Sequence, residues 1–284
     1  MILKEKPLSE LLRFSFINLN KPSGPTSFEV SSYVCRALGL NKTSHLGTLD
    51  PAVSGVLPIA LGRACKLNEI FMHHNKKYVG IMRLHKEVSK REIEEAIEKN
   101  IGKITQKPPV KSAVKRQERQ REIFFFNILE IQGKDVLFET EVEAGTYIRT
   151  LCIAIGKDLG EAHMLELRRV KAGIFQEDDK KHKFISLYDF DKAVKEYKEG
   201  DEKPLRKILV PAEQALLEIM PKIELEEKNL KQFLTGKPLM KKDIKRLPQE
   251  ETFAGFVKDI FIGVYRKTEK DKQDIIARPL FIFN

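Results

Sequence analysis

Cysteine is scarce in this 284-residue chain: Cys35, Cys65 and Cys152 are odd in number, scattered, and never form a Cys-x-x-Cys pair. That pattern argues against a disulfide framework or a dithiol redox motif, and suits reduced, buried side chains of a cytoplasmic protein. No apolar run approaches the roughly 20 residues that span a bilayer, so no membrane association is expected. The opening Met1-Ile2-Leu3-Lys4-Glu5-Lys6 lacks the long apolar core and small-residue cleavage site of a secretory signal. His73-His74 and His85 show neither helical nor finger-like ligand spacing, so no metal is expected. Internal repeats and low-complexity tracts are also missing.

Positive charge, in contrast, is in excess. Lys and Arg number 51 against 41 Asp and Glu, a net charge of +10. Such a surplus draws polyanions without specifying a fold. Its distribution says more. Residues 111–121 read KSAVKRQERQR, where Lys111, Lys115, Arg116, Arg119 and Arg121 face a single acid, Glu118. Arg149, Arg168, Arg169 and Lys171 follow, while acids gather elsewhere, as in Glu92, Glu94, Glu95 and Glu98. This segregation points to an RNA-facing side whose binding depends strongly on salt.

Hydrophobic content of 42% and charged content of 32% describe a soluble globular chain with a highly charged surface. Its length allows one large core or two domains of roughly 150 residues each. Thr26 with Glu29 forms a capping-box pattern before an apolar helical face of Val30, Tyr33, Val34, Ala37 and Leu38, ended by Gly39. Ser89 with Glu92 repeats it before Ile93, Ala96, Ile97 and Ile101. Residues 56–61 read as a buried strand, with Pro58 suggesting an edge or a bulge. Residues 122–143 read as a hairpin turning at Gln132-Gly133-Lys134-Asp135, and the triple Phe124-Phe125-Phe126 reads as sheet core. Residues 145–160 pass from a loop into a helix. Strands and helices without a regular βαβ repeat predict an α+β fold with a mixed sheet. A charged stretch at 195–204 suggests a break, and β-like runs at 252–265 and 275–283 suggest a small β domain, too short for much core of its own.

One loop carries candidate chemistry. In His45-Leu46-Gly47-Thr48-Leu49-Asp50-Pro51, a single carboxylate is stiffened by proline and bracketed by Gly47 and Gly55. A lone carboxylate on a constrained loop suits a nucleophile or base working without a metal. Asp-Pro is equally an ordinary turn signal.

Further segments decide between these readings. Lys21-Pro22-Ser23-Gly24, the Asp50 loop, Lys77-Tyr78-Val79-Gly80, Gly145-Thr146-Tyr147-Ile148-Arg149 and Leu167-Arg168-Arg169 occur in this order over residues 14–175. Together they resemble the TruB/dyskerin family of pseudouridine synthases. Residues 78–85, 108–116 and 166–173 resemble its archaeal and eukaryotic dyskerin-like arm. The resemblance implies a pseudouridine synthase fold, with a mixed, largely antiparallel sheet and flanking helices over residues 1–215. A small β-rich PUA-like domain is expected over 216–284, on position and size. Some segments look trimmed relative to dyskerin-like proteins: the N-terminal extension, the connection after His85 and the stretch 159–164.

By that resemblance Asp50 is the catalytic aspartate, Arg149 its cationic partner, and Tyr78 the tyrosine that stacks on the base and takes part in proton removal. A carboxylate buried in a dry pocket would be costly alone, which gives the pairing its rationale. Tyr147 and Leu167 would line the uracil pocket, His45 would help extrude the nucleotide, and Lys21 would support the substrate site. Lys111, Lys115, Arg116, Arg119, Arg121, Arg168 and Arg169 are the expected RNA contacts. Isomerisation consumes no external group and involves no net redox change, so no cofactor is expected. The resemblance implies a catalytic subunit of an archaeal H/ACA ribonucleoprotein, working with guide RNA and small protein subunits on rRNA and tRNA. A stand-alone synthase acting on the tRNA T-loop and an inert RNA-binding scaffold are the alternatives.

Overall fold

Side-chain capping fixes where several helices begin. Glu29 N–H donates to Thr26 Oγ1 at 3.1 Å, and Thr26 N–H donates to Glu29 Oε2 at 2.7 Å. Ser89 with Glu92 does the same, and so does Ser186 with Asp189, a third box beyond the two expected. Each box satisfies amides that the helical ladder leaves open. The structure is a computed structural model that describes residues 6–108, 115, 117–268 and 274–284.

The helices are α1 (Leu8–Arg13), α2 (Ser27–Ala37), α3 (Asn68–Met72), α4 (Lys90–Glu98), α5 (Ile148–Gly156), α6 (Leu187–Lys198), α7 (Lys203–Arg206), α8 (Ala212–Leu216) and α9 (Leu230–Leu234). The strands of the main sheet are β1 (Ser15–Lys21), β2 (Thr43–His45), β3 (Ser54–Leu61), β4 (Lys76–Leu84), β5 (Gly102–Gln106), β6 (Arg119–Gln132), β7 (Asp135–Val142), β8 (Ala162–Ala172), β9 (Phe175–Gln176), β10 (Ile185–Ser186) and β11 (Leu209–Pro211). A second sheet contains β12 (Lys222–Glu224), β13 (Leu239–Met240), β14 (Thr252–Val257), β15 (Ile260–Lys267) and β16 (Ile275–Ile282).

The main sheet runs β10-β1-β3-β8-β4-β7-β6-β5, with β11 beside β1, β2 beside β3 and β9 beside β8. Among the described residues, its parallel pairs are β1–β10 and β3–β8, so the sheet is mixed and largely antiparallel, as expected. Alternation sorts its residues. Ile17, Leu19, Leu57 and Ile59 face a core shared with Val34, Ile93, Leu151 and Phe190 of the flanking helices. Phe16, Val56 and Ala60 face the opposite way, onto Phe256, Phe261, Val264 and Phe281 of the second sheet. Both faces of β1 and β3 are therefore covered, which is why these strands read as nearly unbroken apolar runs.

Several expectations need adjustment. Pro58 lies inside the sheet, opposite Asn18 of β1. Its carbonyl accepts from Leu46 N–H at 2.9 Å, on the side where β2 is ending, so its missing N–H costs one terminal rung. Of the triple Phe, only Phe126 is buried; Phe125 lies under the Lys77 ammonium and Phe124 is exposed. The charged stretch 195–204 is the end of α6 and the entry to α7, whose Leu205 is wholly buried. The expected division after residue 215 falls within α8, and the second sheet starts at Lys222. That sheet also has a core of its own, built from Leu225, Phe233, Leu239, Phe253, Ile262 and Tyr265.

Candidate active site

The Asp50 loop joins β2 to β3 and is pinned along its length. Leu46, Leu49 and Val53 are buried beneath it. Ser27, the first residue of α2, accepts from Leu49 N–H at 2.8 Å and donates to Leu49 O at 3.0 Å. Gly24 N–H donates to Pro51 O and Asp50 O accepts from Val53 N–H. Gly47 has φ +90°, and Gly55 has φ +104° at a point where a Cβ would run into the Arg169 carbonyl. Both glycines are needed by the backbone, whatever the loop's chemistry.

Opposite this loop, the chain turns from Gly145 into α5. Gln106, on β5, holds that turn: its Oε1 accepts from Tyr147 N–H at 3.0 Å and its Nε2 donates to Tyr147 O at 3.2 Å. Arg149 then projects from the first turn of α5, and its Nη2 donates to Asp50 Oδ2. The two side chains are 47% and 53% exposed, so the carboxylate stands at a wet mouth and not in the expected dry pocket.

Asp50, Tyr78, Tyr147, Arg149 and Leu167 line one cavity of about 380 Å³, whose wall also includes Lys76 and Arg169. This size falls in the range of small-molecule sites. Tyr78 is 9% exposed and comes from β4; Leu167 is half-buried and comes from the adjacent β8. Lys76 is 6% exposed, and its Nζ donates to Met72 O and His74 O at 2.5 Å each. Burial, reinforced by the nearby Arg169 charge, brings its pKa down to about 7. Two buried basic side chains, Lys76 and Arg169, therefore underlie a cavity whose carboxylate sits at its rim.

Lys21 and His45, expected at the site, stand outside this cavity. Lys21 is wholly buried; its Nζ donates to the carbonyls of Pro22, Pro51 and Val53 at 2.9 Å each. An ammonium has three donors, so Lys21 has none left for a substrate and acts as a clamp beneath the loop. Burial depresses its pKa, and the Asp50 charge opposes that. His45 lines a separate, more open groove of about 580 Å³ between α2, β2 and α3. Its Nδ1 is buried without a hydrogen-bond partner, and burial with the Arg169 charge lowers its pKa. Arg169, in the cavity wall, is 1% exposed and offers no outer surface to RNA.

The other basic residues divide. Lys115 is exposed and Arg119 half-buried. Arg121 lies within 3.4 Å of Glu143, and Arg168 is paired with Glu177 and donates to Ser54 Oγ at 3.2 Å. Lys111 and Arg116 lie outside the described residues. Sequence reasoning misses Lys76 and Gln106. Lys76 directly precedes the Lys77–Gly80 motif and looks like one more surface lysine; nothing local marks Gln106.

Comparisons with known proteins identify relatives of the chain as a whole. Residues 35–148 match the TruB family pseudouridylate synthase (N terminal domain), and residues 149–217 match the tRNA pseudouridylate synthase B C-terminal domain. Proteins named probable tRNA pseudouridine synthase B are similar in Methanopyrus kandleri (46% identity, 79% of this chain, 65% of the relative) and Archaeoglobus fulgidus (40%, 95% and 84%). The chain thus spans just under two thirds of the Methanopyrus relative and more of the Archaeoglobus one. A crystal structure of a Cbf5-Nop10-Gar1 complex contains a chain similar over 97% of this one and 87% of its own length, at 36% identity and a TM-score of 0.86. A structure of an H/ACA RNP bound to a substrate RNA containing 2'-deoxyuridine contains another, at 33% identity, 99% and 88% coverage and a TM-score of 0.86.

Proposed function

We propose that this chain, which belongs to the TruB family of pseudouridine synthases, isomerises uridine to pseudouridine in RNA as the guided catalytic subunit of an archaeal H/ACA ribonucleoprotein. The observation that carries the reading is the contact between Asp50 and Arg149 at the mouth of a cavity that also presents Tyr78, Tyr147 and Leu167.

In the reaction the bond from uracil N1 to ribose C1' breaks, the base turns, and a bond from C5 to C1' forms. C5 loses a proton, with its electron pair restoring the ring double bond, and N1 gains one, so atoms and charge balance without a cofactor. In our reading Asp50 acts on the ribose as the base leaves, and Arg149 holds the carboxylate ionised and aimed. Arg suits this because its guanidinium stays charged and forked. Tyr78, Tyr147 and Leu167 hold the detached base, and Tyr78 takes part in removing the C5 proton. Because Asp50 is open to water before substrate arrives, entry of the nucleotide itself would dry the site. Flipping the nucleotide out of its stack costs a few kcal/mol, offset by contacts in the cavity.

Guidance is supported by likeness to chains from a Cbf5-Nop10-Gar1 complex and from an H/ACA assembly holding substrate RNA. On that basis the partners would be guide RNA, rRNA and tRNA targets, and small protein subunits. The exposed Lys115 and its neighbours would meet phosphates, which position RNA without reading sequence. The second sheet would serve as the PUA-like domain gripping guide RNA. No described helix is long and apolar enough to cross a membrane, and the proposal places the protein in the cytoplasm. The names of the relatives favour a second reading, a stand-alone tRNA synthase.

The test uses purified protein with tRNA and rRNA transcripts carrying tritium at uracil C5, with and without guide RNA and the partner proteins. Tritium release that requires the guide supports the guided reading. Release from tRNA alone, with no gain from guide and partners, supports the stand-alone one. No release under any condition overturns both.

A further inference from the structure

Arg169 heads the largest wholly buried side chains of the described residues, and no described carboxylate pairs with it. Its Nε donates to Val56 O at 2.8 Å and its Nη2 to Gly47 O at 3.0 Å. Those two carbonyls flank Asp50, one within its loop before it and one in β3 after it. The Arg169 backbone presses against Gly55 at the loop's exit, where any Cβ would collide. Arg169 is also the cross-strand partner of Tyr78, beside a register shift between Lys77 and Tyr78. Irregularities of this kind re-aim side chains next to active sites. Tyr78 and Arg169 line the same cavity wall, and burial lowers the arginine's pKa while the nearby Tyr78 opposes that.

A cation this deep, with the basic Lys76 beside it and no described carboxylate paired with it, is a poor device for stability alone. Apolar side chains of similar volume generally serve such a position as well or better. Its chemistry is directional, however. Guanidinium only donates hydrogen bonds, so toward Arg169 the Tyr78 oxygen can act only as an acceptor, which fixes the direction of its O–H and lone pairs at the cavity wall. We propose that Arg169 is a positioning residue that locks the Tyr78 oxygen and the Asp50 loop into one frame, so that the group acting on the base and the group acting on the ribose keep a fixed relation. The proposal rests on the isomerase reading and deepens it, by assigning to Arg169 control over the loss of the C5 proton.

The test compares Arg169→Gln and Arg169→Lys with the unaltered protein, each in whatever assembly supports turnover. The readouts are RNA affinity, kcat, KM and the isotope effect from RNA carrying deuterium at uracil C5. Arg169→Gln is expected to lower kcat on the order of 100-fold, the scale of losing one aligned proton-transfer group, with RNA affinity and KM nearly unchanged. Its isotope effect is expected to exceed that of the unaltered protein, and Arg169→Lys to recover part of the rate. A role confined to holding the loop predicts the opposite signature. Slower bond cleavage at Asp50 would then mask C5 proton loss, and the isotope effect would stay level or fall. That result, or an unchanged kcat, overturns the proposal. Should Arg169→Gln not fold, Arg169→Lys decides alone: a raised isotope effect sustains the proposal and an unraised one ends it. Lack of C5 release by the unaltered protein sinks the isomerase reading itself, whereas release with a level isotope effect in the variants sinks only the role of Arg169.

Discussion

Lys21 and Pro51 are joined by a 2.9 Å hydrogen bond from a buried ammonium to the carbonyl that directly follows Asp50. Two further carbonyls, of Pro22 and Val53, occupy the remaining donors. The Asp50 loop thus rests on an ammonium whose entire hydrogen-bonding capacity is spent on backbone. Lys21→Met keeps the apolar stem and strands three acceptors, so a loss of roughly 2–4 kcal/mol is expected. Urea unfolding at neutral pH measures it. A change under about half a kcal/mol, well below the cost of a stranded acceptor, would show that water replaces the ammonium and that the clamp is dispensable.

Asp50→Asn separates chemistry from architecture. The Asp50–Arg149 pair is about half exposed on both sides, and pairs of that kind contribute about 0–1 kcal/mol to stability. The variant is expected to unfold at nearly the same urea concentration and to bind RNA with nearly the same affinity, yet to release no C5 tritium above background. Turnover within tenfold of the unaltered protein would remove Asp50 from its proposed role.

These two sites, a lysine and an aspartate, also mark how far the sequence is legible. Local devices are readable: Thr26 with Glu29 and Ser89 with Glu92 begin helices where expected, because a capping box needs only residues three apart. The Asp50 loop is likewise visible as a rigid turn. Its partner Arg149 lies 99 residues away, and only a resemblance to relatives connects them. Lys76 and Arg169 are overlooked or misread for one reason. Composition treats a positive side chain as surface or as RNA contact, whereas these two, like Lys21, are buried against backbone carbonyls whose acceptors no sequence pattern displays. Pro58 suggests an edge because a sheet interior normally needs its N–H; the early end of β2 removes that need.

Lys76 gives stability a particular pH dependence. Its pKa falls from 10.5 in the unfolded chain to about 7 in the folded one. Between those values the unfolded chain binds the extra proton, so stability rises with pH across that window and is lowest, for this group, below pH 7. The span corresponds to an effect on the order of a few kcal/mol. Lys76→Met is expected to remove this rise, leaving a flatter curve across the same window. Urea unfolding of both proteins at several pH values tests it, and parallel curves would mean that Lys76 stays charged throughout.

Salt dependence distinguishes positive residues that are free from those already paired. Lys115 is exposed, whereas Arg168 is engaged by Glu177 and Ser54. Each lysine or arginine that neutralises a phosphate contributes roughly one to the slope of log affinity against log salt. Neutralising Lys115, Arg116 and Arg119 together is therefore expected to flatten the slope by about two to three and to weaken binding similarly for guide and target RNA. Arg168→Gln is expected to change the slope by much less than one, because its charge is already balanced within the protein. Filter binding across roughly a tenfold range of salt concentration reads both. An Arg168→Gln slope as shallow as that of the triple variant would place the RNA along β8, beside the cavity mouth, in preference to the segment that precedes β6.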